Sequence, residues 1–411
     1  MKRLLPVCLI LLCALLSCGK EDVEIIKNKT FVPINLTKAQ EDIALNVNSL
    51  GFDVLSSILT DEPLGVQGMI VSPLSLSSAL SMCANGAAGA TQEQMLDLLG
   101  TQSNSVEDLN VFYSFMLDAL VKADAKVDFI SANSIWYDET ITLKENYIKG
   151  MADVFDAKIE DVDFSDISSV EKINGWCFSK TYGQIPRIID EVDPNISVKL
   201  LNALYFNGLW ATPFEDLKER SFTHADGSTS MLESVVARRP LRCVETDMFK
   251  CVEIPYGNGA YVMNMILPSN EASVSDVSES LADGGWDKAV RSLQQQAVQL
   301  EFPLFEVKYN IELSRILNSL GMCDAFLPSV ADFSNMSDNS LFVSSVSQHA
   351  IIKVTEKGSE VSSVTDVTMG ETSAGPNDGV DEIFEFIADR PFLYLIRESS
   401  TGVILFLGVK S

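Results

Sequence analysis

A segment of small residues near the C-terminus has the composition of a strand that could be added to an existing sheet. It runs from Glu356 to Met369 and consists mainly of serine, threonine and valine. Alternate side chains of a strand face opposite sides of a sheet. One alternate set carries no charge and comprises Ser359, Val361, Ser363, Thr365, Val367 and Met369. With that set on a core and the carboxylates of Glu360 and Asp366 in water, the segment could form a central strand. Insertion should stop near Gly370, because Glu371 would be the next inward side chain.

Residues that could form a catalytic centre are scarce. The chain has two histidines, His224 and His349, which are far apart in sequence, and it contains no Gly-x-Ser-x-Gly, His-Glu-x-x-His or phosphate-loop motif. Gly257-x-Gly259 lacks the third glycine of a dinucleotide site. The residues of a catalytic triad can be far apart in sequence, so the sequence alone is compatible with a triad that contains one of these histidines. The pattern nevertheless favours a protein that is not an enzyme, with no cofactor and no metal, and His224 is expected in a surface turn.

The sequence that follows the segment from Glu356 to Met369 favours insertion of that segment into a sheet over an ordinary solvated loop or edge strand. The stretch from Phe386 to Phe392 reads Phe-Ile-Ala-Asp-Arg-Pro-Phe, and an apolar run from Gly402 to Val409 follows. Both resemble the C-terminal signature of the serpin family. In that family a Glu-x-Gly-[Thr/Ser]-Glu hinge precedes a protease-bait loop, and a Phe-x-Ala-Asp-x-Pro-Phe strand follows it. Insertion of the loop into a sheet is the family's known way of releasing strain.

Four further stretches are similar to the same family, in the same order. The Ser-Pro-Leu-Ser from Ser72 to Ser75 resembles the family's second helix, and Gly86 to Thr91 resembles the turn after it. Asn202 to Trp210 matches a central-strand motif, Asn-x-x-Tyr-Phe-x-Gly-x-Trp, and Leu320 to Ser334 again follows the family. The resemblance implies an α+β fold in which helices pack around a large central β-sheet and two smaller sheets. It also implies an exposed reactive-centre loop at about residues 356–385.

The resemblance implies a mechanism with a hinge and a gate. A protease attacks the loop as a substrate, and the cleaved loop then enters the central sheet. Gly358 would supply backbone freedom at the hinge, and Ser359 would enter first. The hinge and the strand after it would comprise Glu356, Gly358, Ser359, Glu360, Val361, Ser363 and Thr365. The gate between the two central strands would comprise Ser72, Ser75, Asn202, Trp210 and Gln348.

One gate position departs from the family. Counting back from Glu356 puts Gln348, rather than His349, where the family has a histidine. A glutamine can donate and accept hydrogen bonds as a neutral imidazole does, but it does not titrate near neutral pH. We therefore expect gating that is largely independent of pH.

The scissile bond can be counted from either end of the loop. The family spacing of fourteen residues from Gly358 leads to Thr372, with Ser373 following. Counting back from the distal strand leads to Val380 instead, because the loop is about eight residues longer than the family norm, and residues 375–379 fit an insertion there. We predict cleavage between Thr372 and Ser373, because the sheet fixes the inserted length. The alternatives are Met369, Ala374 and Val380.

The loop excludes one class of target. From Gly358 to Asp389 the chain contains no lysine or arginine. A protease whose pocket requires a basic residue therefore has no site there, so trypsin-like targets are not expected. Thr372 or Ala374 suits an elastase-like pocket, Met369 suits a chymotrypsin-like or subtilisin-like one, and papain-like cysteine proteases stay open. The expected product is a covalent 1:1 complex of a serine or cysteine protease with a monomeric inhibitor.

Two other functions are compatible with the sequence. A non-inhibitory serpin, acting as a chaperone, carrier or scaffold, would share the fold without inserting its loop. Val361 and Val364 favour it, because inhibitory members usually have alanine, glycine or serine after the hinge. The second alternative is a surface binding lipoprotein whose loop captures a ligand without chemistry, and indifference to loop cleavage would favour it.

The N-terminus has the features of an exported bacterial lipoprotein. Lys2 and Arg3 precede an apolar run from Leu4 to Leu16 that is too short to span a bilayer. The run ends in Leu-Leu-Ser-Cys, which resembles a lipobox, and residues 20–22 resemble a surface-export signal. This pattern predicts a signal peptide over 1–17, lipidation of Cys18, a tether over 18–36 and one serpin domain over 37–411. The domain would be held at the outer membrane, on either side of it, and a plain secretory signal is the alternative.

Composition and charge limit the partners. With 46% apolar residues among 411, the chain can bury a large core, and no Pro/Gly/Ser-rich linker divides it. A formal charge of −27 argues against nucleic acid as a partner. Of the five cysteines after Cys18, Cys83, Cys177 and Cys323 lie in apolar runs and are expected to be buried. Cys243 and Cys251 could pair, and that question stays open.

Local signals indicate the elements that must position the loop. Three capping patterns predict helix starts: Thr37 with Gln40, Ser72 before Pro73, and Thr91 with Gln94. Residues 252–256 and 261–267, joined by a Gly-Asn-Gly turn, predict a hairpin.

Overall fold

The computed structural model describes residues 31–411 apart from 63, 102–104, 184, 283 and 360–382. The helices in these ranges are α1 Lys38–Asp61, α2 Pro73–Gly86, α3 Gly89–Leu98, α4 Val106–Ala123, α5 Glu145–Phe155, α6 Ser168–Lys180, α7 Val274–Ala282, α8 Gly285–Ser292 and α9 Ser314–Ser319. The strands are β1 Met69–Val71, β2 Val127–Asp138, β3 Lys158–Val162, β4 Val198–Leu209, β5 Leu217–Thr223, β6 Thr229–Glu245, β7 Phe249–Pro255, β8 Tyr261–Pro268, β9 Gln294–Pro303, β10 Phe305–Glu312, β11 Ser347–Val354, β12 Gly358–Ser359, β13 Phe384–Ile387, β14 Phe392–Glu398 and β15 Ile404–Lys410.

A six-stranded sheet holds the two long strands on which the predicted gate depends. Its strand order is β10-β11-β12-β4-β2-β3. Strand β12 consists of two residues and lies between one end of β11 and one end of β4, and the other ends of β11 and β4 pair directly. This is the large central sheet that the sequence predicts.

The remaining strands form one nine-stranded path, β1-β15-β14-β8-β7-β6-β9-β13, with β5 paired to β6. The 17-residue β6 joins two groups of strands, because β5 pairs with its first part, β7 pairs with its last residues and β9 pairs along most of its length. The two smaller sheets that were expected are therefore connected through β6. The predicted hairpin is confirmed, since β7 pairs with β8 in antiparallel register.

Two of the three predicted helix starts are confirmed. Thr37 and Gln40 form a complete capping box at the start of α1, and the Ser72 hydroxyl caps α2 with proline in its first turn. The third prediction is wrong in its position, because α3 begins at Gly89 without a side-chain cap. Thr91 is instead buried, and its hydroxyl accepts a hydrogen bond from the Asp332 amide (3.0 Å).

Apolar side chains are buried on both faces of the six-stranded sheet. One face packs on α2, α4 and strand β1 of the nine-stranded sheet, and the other packs under α6. Helix α1 is long and apolar enough to cross a membrane by length and composition, but 56% of the qualifying window lies buried inside the domain. Helix α1 is therefore a core helix of the domain.

Two of the predicted residue environments are wrong. His224 lies buried rather than on a surface turn, with ring nitrogens 2.7 Å from Ser230 Oγ and 3.2 Å from Ser411 O. Cys323 is partly exposed, whereas Cys83 and Cys177 are buried as expected. Cys243 and Cys251 are buried on adjacent strands and carry free thiols. These two cysteines do not pair.

Several predictions concern residues outside the described ranges. They are the signal peptide, the lipidation of Cys18, most of the tether, the inserted-strand residues Glu360, Val361, Ser363 and Thr365, and the scissile-bond candidates Met369, Thr372, Ser373, Ala374 and Val380. They stay predictions.

Candidate strand-insertion site

The two central strands of the six-stranded sheet are joined at one end and separated at the other. At the end that we call the lower end, β11 and β4 run parallel, with His349 paired to Ala203 and a bridge between Val346 and Leu200. At the upper end, the two-residue β12 lies between them. In the described part of the chain no pairing joins β4 residues 204–207 to β11 residues 350–353. We call this space the slot.

The hinge already lies in the sheet, at the upper end of the slot. Ser359 pairs with Gly208 of β4 and Gly358 pairs with Leu209, while Val354 pairs with Ser359 from β11. Ser359 is 1% exposed, which agrees with the inward face predicted for it from alternation. Thus the first two residues of the candidate strand are seated in the sheet.

Gly358 lies close against the backbone of β4. A Cβ atom there would lie 2.0 Å from the Gly208 carbonyl oxygen and 2.8 Å from Leu209 Cα, and the φ of Gly358 does not fall in the left-handed region. The structure therefore adds a second reason for glycine at this position, because only a residue without a Cβ fits against β4. The predicted backbone freedom of the hinge stays a prediction.

Trp210, which follows β4, binds the residues before the hinge through two hydrogen bonds. Its backbone amide donates to Lys357 O (2.9 Å), and its indole Nε1 donates to Thr355 O (2.9 Å). The indole stacks on Tyr256, with ring centroids 4.3 Å apart. Trp210 was predicted as part of the gate, and it lies at the hinge rather than beside Gln348.

Tyr256 completes the hinge contacts and was missed by sequence analysis. Its hydroxyl hydrogen-bonds the Ser359 hydroxyl inside the sheet. Burial raises the pKa of the Tyr256 hydroxyl well above its ordinary value, so the group stays neutral. Tyr256 precedes a Gly-Asn-Gly turn about one hundred residues before the hinge, and nothing in its local sequence indicates this contact.

The predicted gate residues Ser72, Ser75, Asn202 and Gln348 lie together at the lower end of the slot. Gln348 Oε1 accepts from the Ser72 amide (2.8 Å), and Gln348 Nε2 donates to Ser72 O (3.0 Å). The same amide nitrogen lies 3.5 Å from Ser75 Oγ, which in turn donates to Asn202 Oδ1. The start of α2 therefore links β11 to β4 through side chains.

The network extends further than the sequence predicted. Asn202 Nδ2 donates to Asn133 Oδ1 on β2 (2.7 Å), and Asn133 Nδ2 donates to Phe155 O at the end of α5 (3.1 Å). Asn133 is 1% exposed. Ser72 Oγ also donates to Leu405 O of the nine-stranded sheet (2.6 Å). We call Ser72, Ser75, Asn133, Asn202 and Gln348 the gate network.

The gate network contains no group that titrates near neutral pH. His349, the neighbouring residue, projects to the opposite face of β11, where it is half-buried under α6. Burial, with the nearby Lys199 ammonium, holds the pKa of the His349 imidazole below its ordinary value against the opposing effect of Asp190. Any pH dependence near the slot should therefore originate at His349.

We expect the His349→Gln variant to lose part of the acid sensitivity of folding. The pKa of this imidazole is lower in the folded protein than in the unfolded chain, where it is about 6.5. Below that pH the unfolded state binds the proton more readily, so the folded state loses stability as the pH falls. Urea unfolding at pH 8 and pH 5 should show a smaller pH difference for His349→Gln than for the wild type. A steep loss of protease inhibition between about pH 5 and 7 that persists in His349→Gln, with the protease itself unaffected, would contradict an uncharged gate.

The site is not built to hold a cofactor. A cavity of about 20 Å³ beneath α2 borders Ser75, Asn202 and Gln348. It has room for about one water molecule and is far smaller than a ligand pocket. Among the described residues, no group of three or more His, Cys, Asp or Glu side chains is arranged to hold a metal ion. The arrangement can accept a strand, and the gate network must part to let it pass.

Comparison with known proteins identifies relatives along almost the whole chain. The family model described as Serpin (serine protease inhibitor) matches residues 45–410. The chain is 30% identical to Iripin-2 of Ixodes ricinus over 385 residues, which cover 90% of this chain and 94% of that protein. It is also similar to the crystal structure of the thermophilic serpin tengpin in its native state, with 30% identity, a TM-score of 0.81, and coverage of 93% and 97% of the two chains. The latent state of tengpin gives a TM-score of 0.77, with 28% identity and coverage of 92% and 99%.

Proposed function

We propose that this chain, which belongs to the serpin family, is a suicide-substrate inhibitor that traps a serine or papain-like cysteine protease. The observation that supports the proposal most directly is the hinge: Gly358 and Ser359 lie as a strand between β11 and β4, next to a stretch in which no described pairing joins these two strands. The chain needs only to continue in the same register to fill the sheet. Inhibition of proteases by members of this family supports the proposal in its general form.

The register of the hinge supports a definite length of insertion. Continued along β4, the antiparallel pairing of Ser359 with Gly208 would bring Met369 opposite Val198, the first residue of that strand. Alternation along the sequence independently limits insertion to about Gly370. These two lines of reasoning agree on twelve residues, 358–369, and support a scissile bond beyond Met369, as the Thr372–Ser373 bond is.

In this register Thr365 would lie between the two halves of the gate. The same extension brings it opposite Asn202 on β4 and opposite Gln348 on β11. A hydroxyl there can replace hydrogen bonds that the gate network loses when the strands separate. A polar side chain such as that of Thr365 suits this position, because an apolar side chain there would leave the buried side-chain amides of the gate network without hydrogen-bond partners.

One expectation from the sequence needs correction in this register. Asp366 was expected to face water, but it would lie opposite Leu201, whose face of the sheet is buried under α6. Lys199 is half-buried on the same face, near His349. We propose that this ammonium group compensates the Asp366 carboxylate after insertion.

The covalent step requires only the protease and the loop. The hydroxyl or thiol of the protease attacks the Thr372 carbonyl carbon, the bond to the Ser373 nitrogen breaks, and the proton of that hydroxyl or thiol passes to the Ser373 nitrogen, which leaves as an amine. The acyl-enzyme retains the protease on Thr372 by an ester or thioester. The ten residues that remain to be inserted, 360–369, gain about 5–15 kcal/mol from ladder hydrogen bonds at roughly 0.5–1.5 kcal/mol each. That gain is comparable to the stability of a whole domain, about 5–15 kcal/mol, and can deform the attached protease before the ester hydrolyses.

The target class and the location belong to the proposal. The absence of lysine and arginine from Gly358 to Asp389 favours elastase-like, chymotrypsin-like or subtilisin-like proteases over trypsin-like ones. We further propose that the protein acts as a monomer, exported and anchored at the outer membrane through a lipid on Cys18. The lipobox-like sequence before that cysteine supports the anchor.

Denaturing electrophoresis with intact-mass measurement tests the proposed inhibition. The purified protein is mixed with an elastase-like, a chymotrypsin-like, a subtilisin-like and a papain-like protease, with a trypsin-like protease as the control. We expect at least one of the first four to give a denaturant-stable adduct whose mass equals the protease plus the chain ending at Thr372. Clean cleavage by all four, with full protease activity remaining, would contradict inhibition and indicate a non-inhibitory serpin.

A further inference from the structure

A buried carboxylate outside the strand-insertion site follows directly after α4. Asp124 is 4% exposed and has an extended backbone conformation. Its Oδ1 accepts from the Lys126 amide (2.9 Å), and its Oδ2 accepts from the Asn258 amide (2.6 Å). A carboxylate is costly to bury unless hydrogen bonds or a counter-charge satisfy its oxygens. Two backbone amides satisfy the oxygens of Asp124, and one of them belongs to the turn between β7 and β8.

The turn at 257–259, between β7 and β8, packs directly against this carboxylate. Gly257 has φ = 42°, and a Cβ atom there would lie 2.0 Å from Asp124 Oδ2. Asn258 Nδ2 also donates to Ala123 O, at the end of α4 (3.1 Å). The end of α4 therefore holds the turn through the carboxylate and through a backbone carbonyl.

Tyr256 links this turn to the hinge. The Tyr256 carbonyl accepts from the Gly259 amide (2.7 Å), and the Tyr256 amide donates to Tyr261 O (2.9 Å), so the turn holds its backbone. The ring stacks on Trp210, and the hydroxyl hydrogen-bonds the Ser359 hydroxyl in the sheet. The position of the Tyr256 hydroxyl therefore depends on the turn as well as on aromatic packing.

We infer that Asp124 is a positioning residue that holds the turn at 257–259 and, through Tyr256, keeps the hinge seated in the sheet. Its carboxylate does not serve to cap α4, because neither of its two hydrogen bonds goes to a residue of that helix. Weakening the contact lets the turn shift and separates the Tyr256 hydroxyl from Ser359. The role in inhibition rests on the proposed function, because a hinge that has left the sheet must re-enter it before the loop can follow.

Hydrogen exchange at Trp210, measured by NMR, reports whether the hinge is seated. The Trp210 amide donates to Lys357 O, and its indole Nε1 donates to Thr355 O. These acceptors lead directly into the hinge, so both Trp210 protons lose protection when the hinge leaves the sheet. The Trp136 indole is the reference, because it donates to Ser134 Oγ (2.8 Å) on β2 and is buried under α6.

The proteins to compare are the wild type, Asp124→Asn, Tyr256→Phe and the double variant. Asparagine keeps the volume of aspartate, but it is neutral and has one accepting oxygen, so it holds the turn more weakly in either orientation. We expect the Trp210 protons of Asp124→Asn to exchange about two- to tenfold faster, the range for loss of one hydrogen bond. Tyr256→Phe should also accelerate their exchange. The double variant should be no faster than the faster single variant, because both substitutions act on one contact.

Asp128→Asn is the matched control, since it makes the same change at an exposed position on β2, and it should match the wild type. Unchanged exchange at Trp210 in Asp124→Asn would overturn the inference. Additive effects in the double variant would also overturn it, as would an equal acceleration at Trp136.

The exchange measurement and the inhibition measurement fail separately. If no protease forms an adduct, exchange at Trp210 still tests whether Asp124 positions the hinge. If adducts form, Asp124→Asn should consume more inhibitor per protease inactivated than the wild type, because insertion starts later and more acyl-enzyme hydrolyses. An equal stoichiometry would contradict a role of the seated hinge in insertion.

Discussion

The Ser359→Arg variant should be cleaved by the target protease without forming a stable adduct. Ser359 is 1% exposed, its hydroxyl meets the buried Tyr256 hydroxyl, and its backbone pairs with Gly208. An arginine at this position would bring an unpaired guanidinium into the sheet, which costs several kcal/mol. Insertion would stop at its first step, so the acyl-enzyme would hydrolyse before the protease is deformed.

The stoichiometry of inhibition measures this effect. For the wild type we expect about one inhibitor consumed per protease inactivated, as the proposed mechanism requires. For Ser359→Arg no protease should be inactivated, and the cleaved inhibitor should accumulate. Lys357→Arg is the matched control, because it introduces the same side chain two residues earlier at an exposed position, and it should inhibit normally. Normal inhibition by Ser359→Arg would show that the loop does not insert in this chain.

The Asn202→Ala variant should lower the stability of the uncleaved protein by about 2–6 kcal/mol, because truncation leaves two buried partners unpaired at roughly 1–3 kcal/mol each. Those partners are Ser75 Oγ, which donates to Asn202 Oδ1, and Asn133 Oδ1, which accepts from Asn202 Nδ2. The gate network would then no longer link β4 to α2. The strands should separate more readily, and spontaneous loss of inhibitory activity on warming should accelerate.

Urea unfolding of the uncleaved protein tests this prediction. Asn207→Ala is the matched control, because Asn207 lies on the same strand and its side chain makes one long, exposed contact to Asp128 (3.5 Å). The control should stay within roughly 0.5 kcal/mol of the wild type, as surface substitutions usually do. Equal unfolding midpoints for Asn202→Ala and Asn207→Ala would contradict a gate network that stabilises the closed sheet.

Local patterns predicted the elements, and a family motif predicted which distant residues meet. The capping box at Thr37 and the Ser72 cap are confirmed because each depends on residues three or four positions apart. The association of Ser72, Asn202 and Gln348 spans more than 270 residues and came from the resemblance alone. Thr91 fits a cap pattern as well as Thr37 does. Its hydroxyl faces Asp332 instead, a contact that no local pattern contains.

The contacts that sequence analysis missed depend on how strands and helices pack. Asn133 lies on β2 and reaches Asn202 only because the two strands pair in antiparallel register at those residues. Tyr256 shows the same limitation, since alternation assigns a side of the strand but does not tell what covers that side. For Gly358, composition predicts a flexible residue. The close approach of the β4 backbone is visible only after folding.

The thermal unfolding midpoint before and after loop cleavage tests strand insertion most directly. The loop is cut with a protease that leaves the chain nicked but does not remain attached, and the nicked protein is compared with the uncut one. A gain of about 5–15 kcal/mol from ten new ladder bonds should raise the midpoint by roughly 6–19 °C in a domain of this size. An unchanged or lower midpoint after cleavage at the Thr372–Ser373 bond would contradict insertion of residues 358–369 between β11 and β4.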